Sequence, residues 1–299
     1  MEQEQVVADF SASDNWIVLS PLEQSIKKKI EAVGTPLKDW KDIKIYRGVL
    51  TGCNEAFIID STKREEILSN CQSDEERERT AELIRPILRG RDIKRYGYVD
   101  NGLYLINTHN GIKDKLPRID IKEYPAIKAH LDQYWDKIST RTDKGDTPYN
   151  LRSCAYLEDF SKPKVVYMEI QTDNPAEGYP FPCYSYDDNR CVVLNTGYIM
   201  SSKTTDSRYV LGILNSRLGK FLVKLYVTQL QERQFRMLSQ YVMRFPIVQP
   251  SKEQEAEMIQ LVQDVLEHQS AILEKRIDEL AFQIYGLSEP EIKVLMTGS

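Results

Sequence analysis

Several features that define common protein classes are absent from this sequence of 299 residues. No apolar run approaches the roughly 18 residues of a transmembrane helix, and the N-terminal MEQEQVVADF lacks a signal-peptide pattern. Histidine occurs only three times, and the five cysteines include no CxxC pair. We therefore expect no membrane span, no zinc site and no disulfide framework, but a cytoplasmic protein with reduced thiols.

Catalytic and nucleotide-binding motifs are absent as well. The stretches GVLTGCNEAF (48–57) and GILNSRLGKF (212–221) lack the spacing of a phosphate-binding Walker loop. TDNPAEGY (172–179) lacks the second proline and following aromatic residue of an amino-methyltransferase loop. MEI (168–170) is followed by glutamine, where a restriction-type nuclease would place lysine. We therefore expect no catalytic residue, no metal and no cofactor in this chain.

The charged residues are distributed unevenly around a net charge of −5. Residues 85–96 contain five basic residues and one acidic residue, and residues 208–244 contain seven and one. Residues 252–293, in contrast, contain four basic and ten acidic residues. Because local charge governs nucleic-acid binding, the two basic segments are candidates for it. A solvated helix face is the alternative explanation for each of them.

Periodicity and capping residues predict a mixed α/β (α+β) fold. The predicted helices are 20–34, 74–84, 122–138, 209–226 and 252–285. The predicted strands are 42–50, 56–60, 102–107, 164–170 and 191–200. As one continuous element, the last helix would be about 50 Å long. The polar stretch 139–163 is long enough to suggest a functional loop.

The basic residues alternate with side chains that commonly contact nucleic acids. Arg95 precedes Tyr96, Arg152 follows the sequence PYN, and Arg233 precedes Gln234. Arginine, lysine, asparagine and glutamine can bind phosphates or read the edges of bases. These patterns favour a role in nucleic-acid recognition over a simple solvated surface.

Several stretches, taken together, resemble the TaqI-like C-terminal specificity domain of type IIG restriction-modification enzymes and related adenine-specific DNA methyltransferases. They are LKDWKDIKIYRGVLTGCNEAFIID, IRPILRGRDIKRY, TPYNLRSCAYLEDFSKPKVVYMEI, YVLGILNSRLGKFLVKLY, FPIVQPSKEQEAEMIQLV and IDELAFQIYGLSEPEI. The last three are also similar to the distal helix region of type I specificity subunits. The resemblance covers roughly residues 15–293 and rests on the order and spacing of the stretches.

The resemblance implies sequence-specific recognition of double-stranded DNA without catalysis, in a restriction-modification or phage-defence system. The chain would direct an adenine methyltransferase, N-terminal to it or separate, and in some systems a nuclease. S-adenosylmethionine would then bind the methyltransferase part. The chain is expected to be a fragment of a larger protein or a separate specificity subunit. Its expected divisions are an N-terminal linker and helix (1–40), a target-recognition domain (41–245) and a C-terminal helical spacer and docking region (246–299).

Ten residues are the expected DNA contacts by analogy with such domains. The expected phosphate contacts are Arg89, Arg91, Lys94 and Arg95. The expected base-reading residues are, first, Arg141, Lys144, Asn150 and Arg152, and second, Arg233 and Gln234.

Two other functions remain open at this point. One is a non-catalytic interaction scaffold whose basic segments bind an acidic protein and whose long C-terminal helix mediates dimerisation. The other is a nuclease with an unrecognised site, which the missing metal-ligand cluster argues against.

Overall fold

A computed structural model describes residues 19–174, 176, 180–231 and 233–297 of the chain. The helices of these residues are α1 (Pro21–Val33), α2 (Asn54–Phe57), α3 (Ser61–Ser69), α4 (Asp74–Leu83), α5 (Pro125–Asp132), α6 (Trp135–Thr140), α7 (Ser207–Asn215), α8 (Arg217–Tyr226), α9 (Ser239–Val242), α10 (Lys252–Glu267), α11 (Ala271–Ile284) and α12 (Glu289–Thr297). The strands are β1 (Thr35–Pro36), β2 (Lys44–Arg47), β3 (Ile58–Asp60), β4 (Ile84–Leu88), β5 (Leu103–Ile106), β6 (Lys164–Met168), β7 (Ile170–Thr172), β8 (Tyr184–Asp187), β9 (Val192–Val193), β10 (Gly197–Ser201), β11 (Gln229–Gln231), β12 (Gln234–Arg236) and β13 (Pro246–Ile247). The predicted mixed α/β class, with C-terminal helices after the sheets, is confirmed.

A four-stranded antiparallel sheet, which we call the central sheet, has the strand order β2-β10-β6-β8. Successive side chains of a strand point to opposite faces of its sheet. Along β6, Val165 and Tyr167 accordingly enter one apolar core, whereas Val166 enters the other. In β10, Tyr198 enters the same core as Val165 and Tyr167, and Ile199 enters the same core as Val166. The central sheet is therefore buried on both faces and shared by two cores.

The first core, which we call the helical core, lies between the central sheet and helices α1, α7, α8, α10, α11 and α12. Tyrosine rings cover the sheet face, with the Tyr167 ring centroid 5.3 Å from those of both Tyr184 and Tyr198. Trp40 and Phe245, which stand at the predicted domain boundaries, are both buried in this core. The N-terminal helix and the C-terminal helices thus share one apolar interior, and the predicted division of the chain stays a prediction.

The second core lies on the other face of the central sheet. It includes a four-stranded sheet with the order β3-β5-β4-β9, in which only β4 and β9 are parallel. Phe57, Ile106, Ile127 and Val192 are fully buried here. The remaining described strands form a three-stranded sheet, β11-β12-β7, and a two-stranded pair, β1-β13.

The prediction of one long C-terminal helix is wrong. Helix α10 ends at Glu267, and α11 begins at Ala271 after Ser270, whose side chain accepts the Ile272 N–H at 3.3 Å. Helix α11 packs against both α10 and α7. Folding back allows the apolar residues of both helices to enter the helical core, which a straight helix would leave exposed. The predicted helix 209–226 also breaks, at Ser216, whose side chain accepts the Gly219 N–H.

The helix starts were predicted more accurately than the helix ends. The capping boxes of Ser20 with Glu23 and of Ser251 with Gln254 are both present. The predicted strand 191–200 separates into β9 and β10, and the predicted helix 122–138 separates into α5 and α6. Among the described residues, no helix combines the length and apolarity needed to cross a membrane.

Candidate nucleic-acid interface

Two polar loops, residues 110–118 and 143–153, pack together, and we call them the paired loops. The Asn110 side chain joins them by donating to Asp146 Oδ1 at 3.0 Å and to Ser153 Oγ at 2.8 Å. Lys113 and Lys115 are exposed and form no ion pair with another described residue. The paired loops therefore present positive charge to solvent from a connected backbone.

Arg141 fixes the shape of the second loop from the inside. Only 7 % of this residue is exposed, and its guanidinium lies 4.4 Å from the Phe57 ring centroid. It donates to the backbone carbonyls of four residues, which are Thr51, Asp143, Pro148 and Asn150. Burial lowers the pKa of Arg141 to about 10, so the group stays charged at neutral pH. The structure thus gives Arg141 an internal, loop-shaping role.

Asn150 is internal as well, whereas its neighbours Lys144 and Arg152 are exposed. The Asn150 side chain donates to the Ile119 carbonyl at 3.0 Å and accepts from Thr147 at 2.6 Å. DNA contact by Arg141 or Asn150 stays a prediction, but their geometry directs the polar atoms into the fold. Lys144 and Arg152 are at the surface: Lys144 Nζ donates to the Ser139 carbonyl at 2.7 Å, and the 65 % exposed Arg152 side chain lies 3.2 Å from Asp143 Oδ1.

A cleft of about 300 Å³ lies between the second of the paired loops and one end of the central sheet. Arg47, Asn107, Arg152 and Asn195 contribute polar groups to its lining. The sheet can approach this closely because Gly48 follows β2: a Cβ there would lie 2.2 Å from the Leu194 carbonyl oxygen. The glycine of GVLTGCNEAF thus shapes a wall of the cleft.

Glu169, just after β6, orients two arginines beside this cleft. Its Oε2 lies 2.8 Å from Arg47 Nη2, and its Oε1 lies 2.9 Å from Arg236 Nη2. The Glu169 side chain is 11 % exposed, but the arginine side chains are 52 % and 46 % exposed. One mostly buried carboxylate therefore holds two outward-facing guanidinium groups. Sequence reasoning missed both arginines, since they lie far apart in the chain and belong to no motif.

Strands β11 and β12 form a hairpin that extends this surface. All three residues of β11 are exposed. Arg233 lies in the turn with a positive φ of 66°, and its guanidinium donates to Asn174 Oδ1 at 3.3 Å. Gln234 is half-buried and begins β12, which pairs with β7. The predicted residues Arg233 and Gln234 are therefore both in the hairpin, with Arg233 the more accessible.

The paired loops, the cleft and the hairpin form one continuous surface, which we call the basic surface. Arg152 of the paired loops lines the same cleft as Arg47. Arg47 shares the carboxylate of Glu169 with Arg236, which is in the hairpin strand β12. These contacts link the loop that contains Lys144 and Arg152 to the hairpin that contains Arg233, although the two parts are distant in the sequence.

The predicted phosphate contacts of residues 89–95 divide into two groups. Arg91 and Lys94 are exposed, whereas Arg89 donates to both carboxylate oxygens of Asp92 at 2.8–2.9 Å. Burial alone would raise the pKa of Asp92, but hydrogen bonds from Arg89 outweigh it and hold that pKa below its usual value. Arg95 is also engaged, since its Nε donates to Glu274 of α11 at 2.9 Å. DNA contact by these four residues stays a prediction, and the geometry favours Arg91 and Lys94.

The described residues contain no group of three or more histidine, cysteine, aspartate or glutamate side chains that could hold a metal ion. All five cysteines are free thiols.

Comparison with known proteins places this architecture in a family. The family model of the TaqI-like C-terminal specificity domain matches residues 85–247, more than half of the chain. Among solved structures, the type IIL restriction-modification enzyme MmeI, determined in complex with DNA, is similar with a TM-score of 0.60 and 12% identity, over 88% of this chain and 36% of that one. The type IIG restriction endonuclease BpuSI is similar with a TM-score of 0.51 and 12% identity, over 91% of this chain and 34% of that one.

The two comparisons carry different weight. At 12% identity, the likeness to MmeI and BpuSI shows the fold alone, and the chain spans about a third of the length of either enzyme. The family model, which begins in β4 and ends in β13, covers strands β6, β8 and β10 of the central sheet, both paired loops and the hairpin. The chain belongs to the family of TaqI-like C-terminal specificity domains.

Proposed function

We propose that this chain recognises a short sequence in double-stranded DNA through its basic surface and does so without catalysis. The observation that carries the proposal is the continuity of that surface in a member of a specificity-domain family. The similarity to MmeI, which was solved in complex with DNA, supports it.

The surface offers two kinds of contact that sequence recognition needs. Lys113, Lys115 and Lys144 would neutralise phosphates and set the register of the protein on the duplex. The hairpin would enter the major groove, which is about 12 Å wide and admits a two-stranded ribbon. Arg152 and Arg233 would then read base edges, since arginine can bind guanine through two hydrogen bonds.

The chain would deliver its DNA site to an adenine methyltransferase, either in the same protein or as a separate subunit, and in some systems also to a nuclease. S-adenosylmethionine would bind that partner. The C-terminal helices are unsuited to DNA, because residues 252–293 contain ten acidic and four basic residues. Their acidic outer surface is the part of the chain that we assign to contact with the partner.

The scaffold alternative has lost its main support. It required the long C-terminal helix to find an apolar partner in a second copy of the chain. Met258, Val262 and Ile277 instead pack into the helical core of the same chain. Dimerisation therefore stays a prediction, and these three residues do not supply the apolar stripe on which it was based.

Fluorescence anisotropy with a random duplex at several salt concentrations tests the proposed function. Binding should weaken steeply as salt rises, since each neutralised phosphate contributes about −0.9 to the slope of log K against log salt. Selection from a random-sequence duplex library should then enrich one short motif. No binding at about 50 mM salt, where the phosphate contribution is strong, would rule out DNA recognition by the chain alone.

A further inference from the structure

Glu169 occupies a rigid junction between two sheets, and Arg47 and Arg236 converge on its carboxylate. It lies between β6 of the central sheet and β7 of the three-stranded sheet. Its backbone N–H donates to the Thr196 carbonyl at 3.0 Å, and its own carbonyl accepts the Met237 N–H at 2.7 Å. The main chain that carries this carboxylate is therefore fixed by hydrogen bonds on both sides.

Each arginine is held at the end of a strand, so its guanidinium has a defined plane. Arg47 ends β2, and its Nε donates to the Asn195 carbonyl at 2.9 Å while its Nη2 donates to Glu169 Oε2 at 2.8 Å. Arg236 ends β12, and its Nε and Nη2 lie 3.0 and 2.9 Å from Glu169 Oε1. Because two contacts already fix each guanidinium, little rotational freedom is left to lose when a ligand binds.

The outer edge of each guanidinium remains open to a ligand. A guanidinium has five N–H donors, and Nη1 of Arg47 and of Arg236 makes no hydrogen bond with another described residue. About half of each side chain is exposed. Each group can therefore present two parallel N–H donors, one on Nη1 and one on Nη2. The ligands that match such a pair are a carboxylate, a phosphate and the O6/N7 edge of guanine.

The shared carboxylate favours the last of these three ligands. A carboxylate or a phosphate is negatively charged, and Glu169 lies only 2.8–2.9 Å from the same two guanidinium groups, so the two anions would repel each other. Two arginines that share one carboxylate also supply a single net positive charge. The guanine edge presents two acceptors without a net charge. The arrangement therefore suits a neutral base edge better than a phosphate.

The strand register places Arg236 on a solvent-facing sheet surface beside an apolar side chain. Arg236 pairs with Ile170 of β7, so the two side chains point to the same face. Phe235 and Gln171, one position along each strand, point to the opposite face and are buried. Ile170 is 48 % exposed. A guanidinium beside an exposed aliphatic group suits the major groove, which combines acceptor atoms with thymine methyl groups.

We propose that Glu169 is a positioning residue that holds Arg47 and Arg236 so that each binds the O6 and N7 atoms of one guanine in the major groove. The inference rests on the proposed function, because the duplex supplies the guanines. Arg47 lies before residues 85–247, the segment matched by the family model, and joins the pair through the fold. The recognised sequence should accordingly contain two guanines, on one strand or on both, whose recognition depends on Glu169.

The first test is selection from a random-sequence duplex library with the wild type and three variants. Arg47→Ala and Arg236→Ala should each lose about tenfold of the preference for guanine at one position, as expected for one bidentate contact. Glu169→Gln should relax both positions but keep or raise the affinity for an unrelated duplex, because it removes a negative charge. Arg276→Ala and Glu257→Gln, exposed in the C-terminal helices, are the matched controls and should leave the selected motif unchanged.

The second test removes a guanine acceptor and leaves base pairing intact. In the selected duplex, 7-deazaguanine replaces each guanine in turn and thereby deletes its N7 acceptor. Wild-type binding should weaken several-fold at the two proposed positions. Arg47→Ala and Arg236→Ala should each become insensitive to the replacement at the position that the missing arginine bound. Because the wild type shows the first effect, this test does not depend on the folding of a variant.

Three outcomes overturn the assignment and leave the proposed function intact. One is a uniform loss of affinity in the arginine variants with a salt slope shallower by about one for each, which would make them phosphate contacts. Another is a parallel fall of the melting temperature and of the affinity for every duplex in Glu169→Gln, which would make Glu169 purely structural. The third is a selected motif that contains no guanine, or one that the variants and 7-deazaguanine leave unchanged. Failure of the wild type to bind any duplex at low salt would instead end the proposed function, and the inference with it.

Discussion

The basic surface and the C-terminal helices differ in how their charged side chains are used. Lys113 and Lys115 of the paired loops are exposed and have no ion-pair partner among the described residues. In the C-terminal helices, by contrast, Glu274 binds Arg95 of the loop before β5, and the buried Glu291 binds Lys29 of α1 at 2.7 Å. Unpaired charges such as these lysines are available to a ligand. Paired charges join elements of the chain, and on the basic surface Glu169 does so while leaving Arg47 and Arg236 about half exposed. Four predictions test how charged side chains are used, and they follow from the largest expected effect to the smallest.

Replacing Arg141 with Ala should cause the largest loss of stability, about 3–5 kcal/mol in the free energy of unfolding. The substitution removes the Arg141 donor from four backbone carbonyls, and among the described residues only that of Asn150 keeps another, the Gly145 N–H. Urea denaturation measures the loss. Arg152→Ala, in the same loop but exposed, should change stability by less than about 0.5 kcal/mol. Similar losses in the two variants would show that Arg141 does not hold the loop.

Replacing Lys113, Lys115 and Lys144 together with Ala should weaken duplex binding by roughly 100-fold near 0.1 M salt. The slope of log K against log salt should become shallower by about 3 if each lysine neutralises one phosphate. The matched control replaces Lys252, Lys275 and Lys293 of the C-terminal helices with Ala. Equal losses in the two triple variants would mean that net charge, rather than the basic surface, determines binding.

Asp278 of α11 should make the protein less stable as pH rises. Burial raises the pKa of this carboxyl from 3.8 to about 6, although it accepts the Arg217 N–H at 2.6 Å. Between about pH 4 and pH 6 the folded state holds the proton more tightly than the unfolded state, so the free energy of unfolding falls as pH increases.

Asp278→Asn should remove this dependence and stabilise the protein by about 1–2 kcal/mol at pH 7, since a neutral amide can still accept the Arg217 N–H. Urea denaturation across a pH series measures the effect. The control is Glu279→Gln, an exposed neighbour on the same helix. If the free energy of unfolding of Asp278→Asn depends on pH as that of the wild type does, a group other than Asp278 causes the dependence.

The pair between Arg95 and Glu274 should have the smallest effect. The two side chains are 17 % and 33 % exposed, so a double-mutant cycle should give a coupling energy of about 1 kcal/mol or less. The DNA affinities of Arg95→Ala and Glu274→Ala should each stay within about twofold of the wild type, because the pair joins two elements of the chain and does not contact DNA. A large loss of DNA affinity in Arg95→Ala alone would instead make Arg95 a DNA contact, as its sequence position predicted.

Local signals in the sequence were sufficient for helix starts but not for helix ends inside a continuous apolar stripe. Ser20 and Ser251 could be identified because a capping box depends on residues three positions apart. The break before Ala271 could not, since no glycine or proline interrupts the pattern there. That break depends on the helical core, which both helices enter, and is therefore decided by tertiary packing.

For the basic surface too, the sequence alone does not show which side chains are exposed. Arg141 and Arg152 are the same residue type in the same polar stretch, but only the first is surrounded by backbone carbonyls. Arg47 and Arg236 meet only because strands from distant parts of the chain converge on Glu169. The sequence identifies which residues are suited to bind DNA, and the fold decides which of them are exposed.

The way Arg141 holds its loop has a consequence for how target preference could change during evolution. Its guanidinium binds only main-chain oxygens, which every amino acid provides. Exposed positions such as Thr142 and Lys144 can therefore vary in side chain without disturbing the anchor. A lineage could explore new DNA sequences by substitution at the loop tip while inheriting the same framework.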